Sequence, residues 1–390
     1  MKLVEVTTKD LASDFLQVHK NINSKDHNWI CPLDKDINEV FDPKKNKAFR
    51  FGEVVRWVLF SEDEKPIGRI AAFISKKYKN KGDKFPVGCF GFFDCIDDQE
   101  TARKLLDAAR EWLKRKGVEA MDGPVNFGER DKWWGLLVDG FYPPLYGMNY
   151  NPPYYQKLLE GYGLEVFYNQ VCWSMQVAGE EKQLAPRFYE AHEKYATDDN
   201  YSVRWAQKDN IDKLAADFCT VYNKAWAKHE GNKSSTIEQA KKVFKSLKPV
   251  LDAKLFYFAY YKNEPVAMWL NFPDLNQIFK RFNGNFNLLR KLQFLILHKM
   301  RGYNKFVGMV YGIVPEFQGT GVDYYMIVEA EKVLKNSRKY RQFEMMWIGD
   351  FNPKIMAISQ KLGAVKSRRL ITYRQIFDPT VPFERHPMLN

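Results

Sequence analysis

The sequence states one structural plan twice, and a duplicated plan settles the architecture before any motif is weighed. The first copy opens with an alternating strand, Lys2 to Val6, then a helix with Leu11, Phe15 and Val18 at three- and four-residue spacing. The second opens with Ser202 to Ala206 and a helix striped by Leu214, Phe218, Val221 and Tyr222. Each copy then carries a hairpin, Arg56 to Ile74 and Lys254 to Phe272, whose charged turn ends in Pro66 or Pro265. A strand, a turn and an amphipathic helix follow, from Val87 and from Val307. Next come a further strand and a last helix opened by Asn-Pro, at Asn151 and at Asn352. A final strand is expected to close each unit, Gln170 to Val177 and Leu370 to Phe377.

The expected fold class is therefore α/β with a mixed (α+β) sheet, in two tandem domains. These are residues 1–178 and 182–390, joined where AGEEK breaks the apolar alternation. At 390 residues, with 45% hydrophobic and 15% aromatic side chains, each half can bury its own core. Five scattered cysteines (Cys31, Cys89, Cys95, Cys172, Cys219) lack both disulfide and zinc spacing. Buried free thiols in a cytoplasmic protein, with no metal, are the expectation. The charged opening MKLVEVTTKDLASDF leads to the expectation of no secretory signal, and no apolar run approaches the roughly 18 residues of a membrane span. The net charge of +12 favours an anionic partner, but it is dispersed and no nucleic-acid motif accompanies it, so DNA binding is not expected.

The copies differ in informative places. The second has about 20 extra residues, much of QIFKRFNGNFNLLRKLQFLILHKMRGYNK, after its hairpin. Their basic, near-helical apolar pattern predicts a lid helix, with contact to an anionic membrane as the second reading. The first has a comparable excess, NFGERDKWWGLLVDGFYPPLYGMNY. Its Glu129, Arg130, Trp133 and Trp134 are candidates to grip a polar acceptor, or else the tryptophans staple the loop to the sheet.

PEFQGTGVDYYM, Pro315 to Met326, falls between a strand and a helix. Glycines there let backbone N–H groups approach phosphate oxygens, and the helix start adds partial positive charge. The same turn in the first copy holds Asp97, Asp98 and Glu100 and no glycine. Such a helix start is satisfied by its own carboxylates and repels a diphosphate.

With this repeat, this turn and the Asn-led helices, nearly the whole chain resembles a tandem pair of the GCN5-related N-acetyltransferase (GNAT) superfamily. The resemblance implies a mixed sheet that splays after its fourth strand. It also implies a Gln/Arg-x-x-Gly-x-Gly/Ala turn that holds the pyrophosphate of acyl-coenzyme A. Carried onto this sequence, the pyrophosphate lies against Gln318, Gly319, Thr320, Gly321 and Val322. The pantetheine arm runs along Val310 to Val314, including Ile313 and Val314, with Asn352 opening the next helix. Three positions depart from the pattern. Asp323 stands where Gly or Ala is usual, Ser359 where a tyrosine acid often sits, and Gly308 where a base often sits. Tyr311 and Asp350 are the substitute catalytic candidates, with Glu344 near the splay and Tyr324 a further acceptor contact.

The expected activity is N-acyl transfer from acetyl-coenzyme A or another acyl-coenzyme A. The acceptor would be a small-molecule or peptide amine held between the halves. Two alternatives stand beside it. One is a FemABX-like transferase taking aminoacyl groups from transfer RNA, the only reading in which RNA is a partner. The other is a catalytically degenerate pair that binds a ligand.

Overall fold

The computed structural model describes residues 1–177, 184–226, 234–300, 302–337 and 339–389, so the expected linker at 178–181 lies outside the described residues. The first copy begins with β1 (Lys2–Glu5), α1 (Lys9–Asn23) and α2 (Asp34–Val40). The hairpin is β2 (Gly52–Phe60) and β3 (Pro66–Ser75), followed by β4 (Val87–Cys95), α3 (Gln99–Arg115) and β5 (Ala120–Gly123). The insertion supplies β6 (Leu136–Asp139), and the Asn151 segment leads into α4 (Tyr155–Gly161) and β7 (Glu165–Gln176).

A helix that the repeat does not predict, α5 (Pro186–Ala196), precedes the second copy. Then come β8 (Tyr201–Trp205), α6 (Ile211–Ala225), α7 (Ile237–Leu247) and the hairpin β9 (Phe256–Tyr261) and β10 (Glu264–Pro273). The second insertion forms α8 (Asn276–Phe279) and α9 (Leu288–Met300). The chain finishes with β11 (Lys305–Ile313), α10 (Val322–Ser337), β12 (Gln342–Gly349), α11 (Pro353–Lys361) and β13 (Val365–Ile376).

The described strands form one mixed sheet, ordered β1-β2-β3-β4-β5-β13-β7-β12-β11-β10-β9-β8, with β6 paired to β13. This order corrects one expectation from the repeat. The closing strands do not finish their own halves; they are exchanged. β13 pairs with β5 of the first copy, β7 pairs with β12 of the second, and the two run antiparallel to each other along the seam. Both strands bury consecutive residues through their middles, so local sequence cannot tell the two pairings apart.

Buried ions pin the exchange. Arg374 of β13 donates to Asp122 of β5 at 2.7 Å and to Asp83 at 2.8 Å. Arg368, also on β13, donates to Glu344 of β12 at 2.7 Å and to the Tyr142 and Pro143 carbonyls in the first insertion. All of Arg368, Arg374, Asp122 and Glu344 are buried. Burial pushes the Glu344 carboxyl up, but the Arg368 guanidinium and the Lys305 ammonium together hold it below its ordinary range.

Among the described residues the parallel pairs are β4 with β5 and β11 with β12. In each copy a helix crosses between these two strands, and the pairing stops before the strands end. The copies fill the resulting gap differently. In the first, a Cβ at Gly91 would fall 1.8 Å from the Val125 carbonyl oxygen, so the chain after β5 presses directly on β4. Val125, Phe127, Trp133 and Trp134 pack there against Phe73 and Cys89. The insertion plugs the first gap.

Candidate active site

In the second copy β11 and β12 are paired from Lys305–Gln342 to Gly308–Met345 and then part. Between Leu270 and Asn271 of β10 the register on β11 jumps from Val310 to Gly308, leaving Met309 as a bulge. A bulge resets which side chains face which layer. Gly308 lies against the Phe343 ring, while Tyr311 joins the apolar groups beneath α10.

Where the strands part, a cavity of about 480 Å³ opens between the sheet and helices α10 and α11. Its walls are Met309 and Tyr311 of β11, Met345 to Ile348 of β12, Ile327 and Leu334 of α10, and Ile358 and Leu362 of α11. Trp269, Phe343, Met175 and Leu184 complete an apolar lining. Among the described lining residues Glu331 is the sole carboxylate. It accepts the Tyr189 hydroxyl at 3.0 Å and pairs with Lys335 at 2.7 Å. This volume lies within the roughly 300–1,000 Å³ of ligand pockets, and the four methionines of the lining can adapt their shape to an irregular or flexible occupant.

Next to the cavity's Tyr311 edge stands the glycine turn. Gly319 and Gly321 have φ of +76° and +91°, a conformation that side chains resist, which is the reason for glycine here. Gln318 donates to the Ile313 carbonyl at 3.2 Å, Thr320 to the Phe317 carbonyl at 2.8 Å, and the Thr320 carbonyl accepts the Tyr195 hydroxyl at 2.8 Å. Val322 is fully buried as the first residue of α10. Ile313 pairs with Ala267, and Val314 is buried with its N–H bound to the Val266 carbonyl.

Asp323 turns inward. Its carboxylate accepts the Tyr311 hydroxyl at 2.6 Å, and its own N–H and that of Tyr324 also point at it. Burial pushes the Asp323 carboxyl up, against the pull of these three donors. Burial, then the Asp323 charge, push the Tyr311 phenol well above its ordinary range, so it stays protonated.

The other candidates from sequence are scattered. Asn352 spends its side chain capping α11 by accepting the Ile355 N–H. Asp350 accepts from Asn169 at 2.8 Å and from Arg385 at 2.7 Å, and it does not line the cavity. Tyr324 packs against Phe188 of α5 at a tilt of 37°, with 4.2 Å between centroids. Glu344 is taken up by Arg368 and Lys305. Trp133 and Trp134 are core residues, with the Trp134 indole donating to the Tyr168 hydroxyl at 2.9 Å. Glu129 is exposed. Arg130 stacks over Trp134 and Tyr78 and donates to Asn80, and its carbonyl accepts from the cavity residue Trp347 at 3.3 Å. That hydrogen bond brings the first insertion to the rim of the second copy's cavity.

No α9 residue lines the cavity, so the predicted lid does not cover it. Sequence reasoning missed the cavity itself. Its signal was the apolar run Met345-Met346-Trp347-Ile348 together with Ser359, a small buried residue whose hydroxyl turns back to the Ile355 carbonyl.

Known structures share this architecture. A tandem GNAT protein from the clavulanic acid biosynthesis pathway superposes with a TM-score of 0.53 at 10% identity, covering 97% of this chain and 99% of its own. A GCN5-related N-acetyltransferase from Sphaerobacter thermophilus gives 0.50 at 11% identity, with 98% of each chain covered. The chain has a tandem GNAT fold. In this fold the parted strands, the glycine turn and the cavity all belong to the second GNAT copy, while the first copy is plugged. At the level of sequence, the chain is 24% identical over 379 residues to a bacterial ceramide synthase of Caulobacter vibrioides (strain NA1000 / CB15N), across 96% of both proteins. No family model matches the chain.

Proposed function

We propose that the protein is an N-acyltransferase that moves a long acyl chain from acyl-coenzyme A to the amine of a lipid-like acceptor. The apolar cavity of about 480 Å³ at the parting of β11 and β12 carries this reading. An acetyl group has no use for such a space, whereas a fatty chain gains about 0.8 kcal/mol for each methylene it buries there. An aminoacyl-RNA terminus would instead need many polar partners, and this mostly apolar lining offers few side chains of that kind, Gln176, Tyr311, Glu331 and Ser359. The likeness to a ceramide synthase supports the same reading, because a ceramide is a long-chain amine N-acylated by a fatty acid.

Coenzyme A would place its pyrophosphate on the outer side of the Gln318–Val322 turn and its pantetheine arm along Val310–Val314. The amine nitrogen attacks the thioester carbonyl, the C–S bond breaks, and one amine proton ends on the departing thiol. Tyr311, a neutral phenol on the cavity wall, is the candidate donor to that thiolate: its one proton, which rests on Asp323, turns to the sulfur, and the proton taken from the amine restores it. Glu331 is the candidate acceptor of the amine proton.

The test incubates the purified chain with acyl-coenzyme A of increasing length and a long-chain 2-amino-1,3-diol. Thiol release and the N-acyl product, by mass spectrometry, are the readouts. KM is expected to fall with each added methylene until the cavity is full, and Met345→Trp, where the strands part, shortens the optimum. Equal use of acetyl- and palmitoyl-coenzyme A, or no amide with any donor, overturns the reading.

A further inference from the structure

Helix α9 takes no part in the acyl cavity, and its outer face has no cover among the described residues. Its inner face is seated on the second copy's core, with Leu297 packed there. Phe294 stacks on Phe279 with centroids 5.2 Å apart, and His298 Nδ1 lies 2.7 Å from the Tyr303 hydroxyl. The opposite face presents Leu288, Leu289, Leu292, Leu295, Ile296 and Met300, which recur at helical spacing as one stripe. All six are exposed, Leu288 by 81%, Leu289 by 75% and Met300 by 78%. Scattered apolar residues on a surface mean little, but a contiguous stripe of this kind marks a surface that meets an apolar phase.

The charges within the insertion that carries the stripe are of one sign. From Leu275 to Pro315 the sequence contains no aspartate or glutamate, while Lys280, Arg281, Arg290, Lys291 and Lys299 fall in and beside α9. Lys291 and Lys299 are exposed, next to the leucines in the helical register.

We propose that α9 seats the protein on the surface of an anionic lipid bilayer. The stripe enters the boundary between headgroups and acyl chains, and the lysines reach lipid phosphates on their flexible stems. At 13 residues the helix is about 20 Å long, well short of the ~30 Å hydrocarbon core, so it lies along the surface and does not cross. A second copy of the chain on this face would oppose two basic surfaces, which repel, whereas anionic headgroups complement them. The proposal is independent of the acyl-transfer reading, because bilayer binding needs no donor or acceptor.

The test is flotation of the full chain with phosphatidylcholine vesicles, alone or mixed with an equal part of phosphatidylglycerol, at low and high salt. Binding is expected on the anionic vesicles at low salt, and at least about tenfold weaker on neutral vesicles or at high salt. Leu289→Glu with Leu292→Glu removes binding, and Lys291→Glu with Lys299→Glu removes the preference for anionic lipid. Unchanged thermal unfolding shows that both pairs of exposed substitutions leave the fold intact. The proposal is overturned if the wild type does not float, or if the leucine pair floats like the wild type. It also fails if the chain is a dimer in solution that the leucine pair dissolves, since a second copy then covers the stripe.

Discussion

The Tyr311 hydroxyl donates to the Asp323 carboxylate across 2.6 Å, tying the strand that walls the cavity to the first turn of the helix behind the glycine loop. Asp323 is the residue that departs from the phosphate-binding pattern, and its orientation leaves the outer side of the loop free of its carboxylate. The carboxylate faces the sheet, 6% exposed, and not the outer side of the loop. Under the proposed function it would still add negative charge near the diphosphate and draw on helix-start amides.

Replacing Asp323 by Asn keeps an oxygen for Tyr311 and removes the charge. Coenzyme A affinity at low salt is expected to rise by up to about tenfold, or about 1.4 kcal/mol, measured by calorimetry. Tyr311→Phe leaves the buried carboxylate short of a donor and lowers stability by about 1–3 kcal/mol in chemical denaturation. An unchanged Kd in the Asn variant would show that the carboxylate does not act on the pyrophosphate.

The exchanged closing strands make a second prediction. Without residues 182–390 the first copy loses β13, which leaves the β5 edge unpaired and takes Arg374 from Asp122. An open strand edge and a lost ion pair weigh heavily against the roughly 5–15 kcal/mol that holds a domain together. The second copy alone loses β7 and exposes the edge of β12. Residues 1–181 and 182–390 expressed apart should therefore be insoluble or unfold without a cooperative transition, and should recover when produced together. A separately soluble half with a sharp melting transition would rule this out.

How much of this was legible follows from the range of the interactions involved. Local patterns carried the repeat: the hairpins around Pro66 and Pro265 became β2–β3 and β9–β10. Asp98 caps α3 through the Thr101 N–H, as its acids imply. The exchange of β7 and β13 was invisible, because it is a choice between partners distant in sequence for strands that both bury consecutive residues. Trp133 and Trp134 read equally as gripping or stapling residues, and only the packing against Phe73 and Phe127 decides for stapling. The inward turn of Asp323 likewise depends on Tyr311, twelve residues away on another element.

The last prediction concerns pH. Asp274, at the end of β10, is 5% exposed and accepts the Asn276 and Tyr146 N–H groups at 3.2 and 3.4 Å. Burial, only partly offset by the Lys305 ammonium, pushes its carboxyl up to about 6. The unfolded chain releases this proton near its ordinary value, so between about pH 4 and pH 6 the folded state holds more of it. Stability from this group is therefore full at low pH and falls as pH rises through that window, by on the order of 3 kcal/mol, then levels off. Asp274→Asn keeps an acceptor for both N–H groups and cannot ionise. Urea denaturation of both proteins from pH 4 to pH 8 should show the variant gaining on the wild type across the window, then keeping a constant lead. Histidines and other carboxylates titrate in both proteins and cancel in the difference, so a difference flat in pH would mean that Asp274 ionises at its ordinary value.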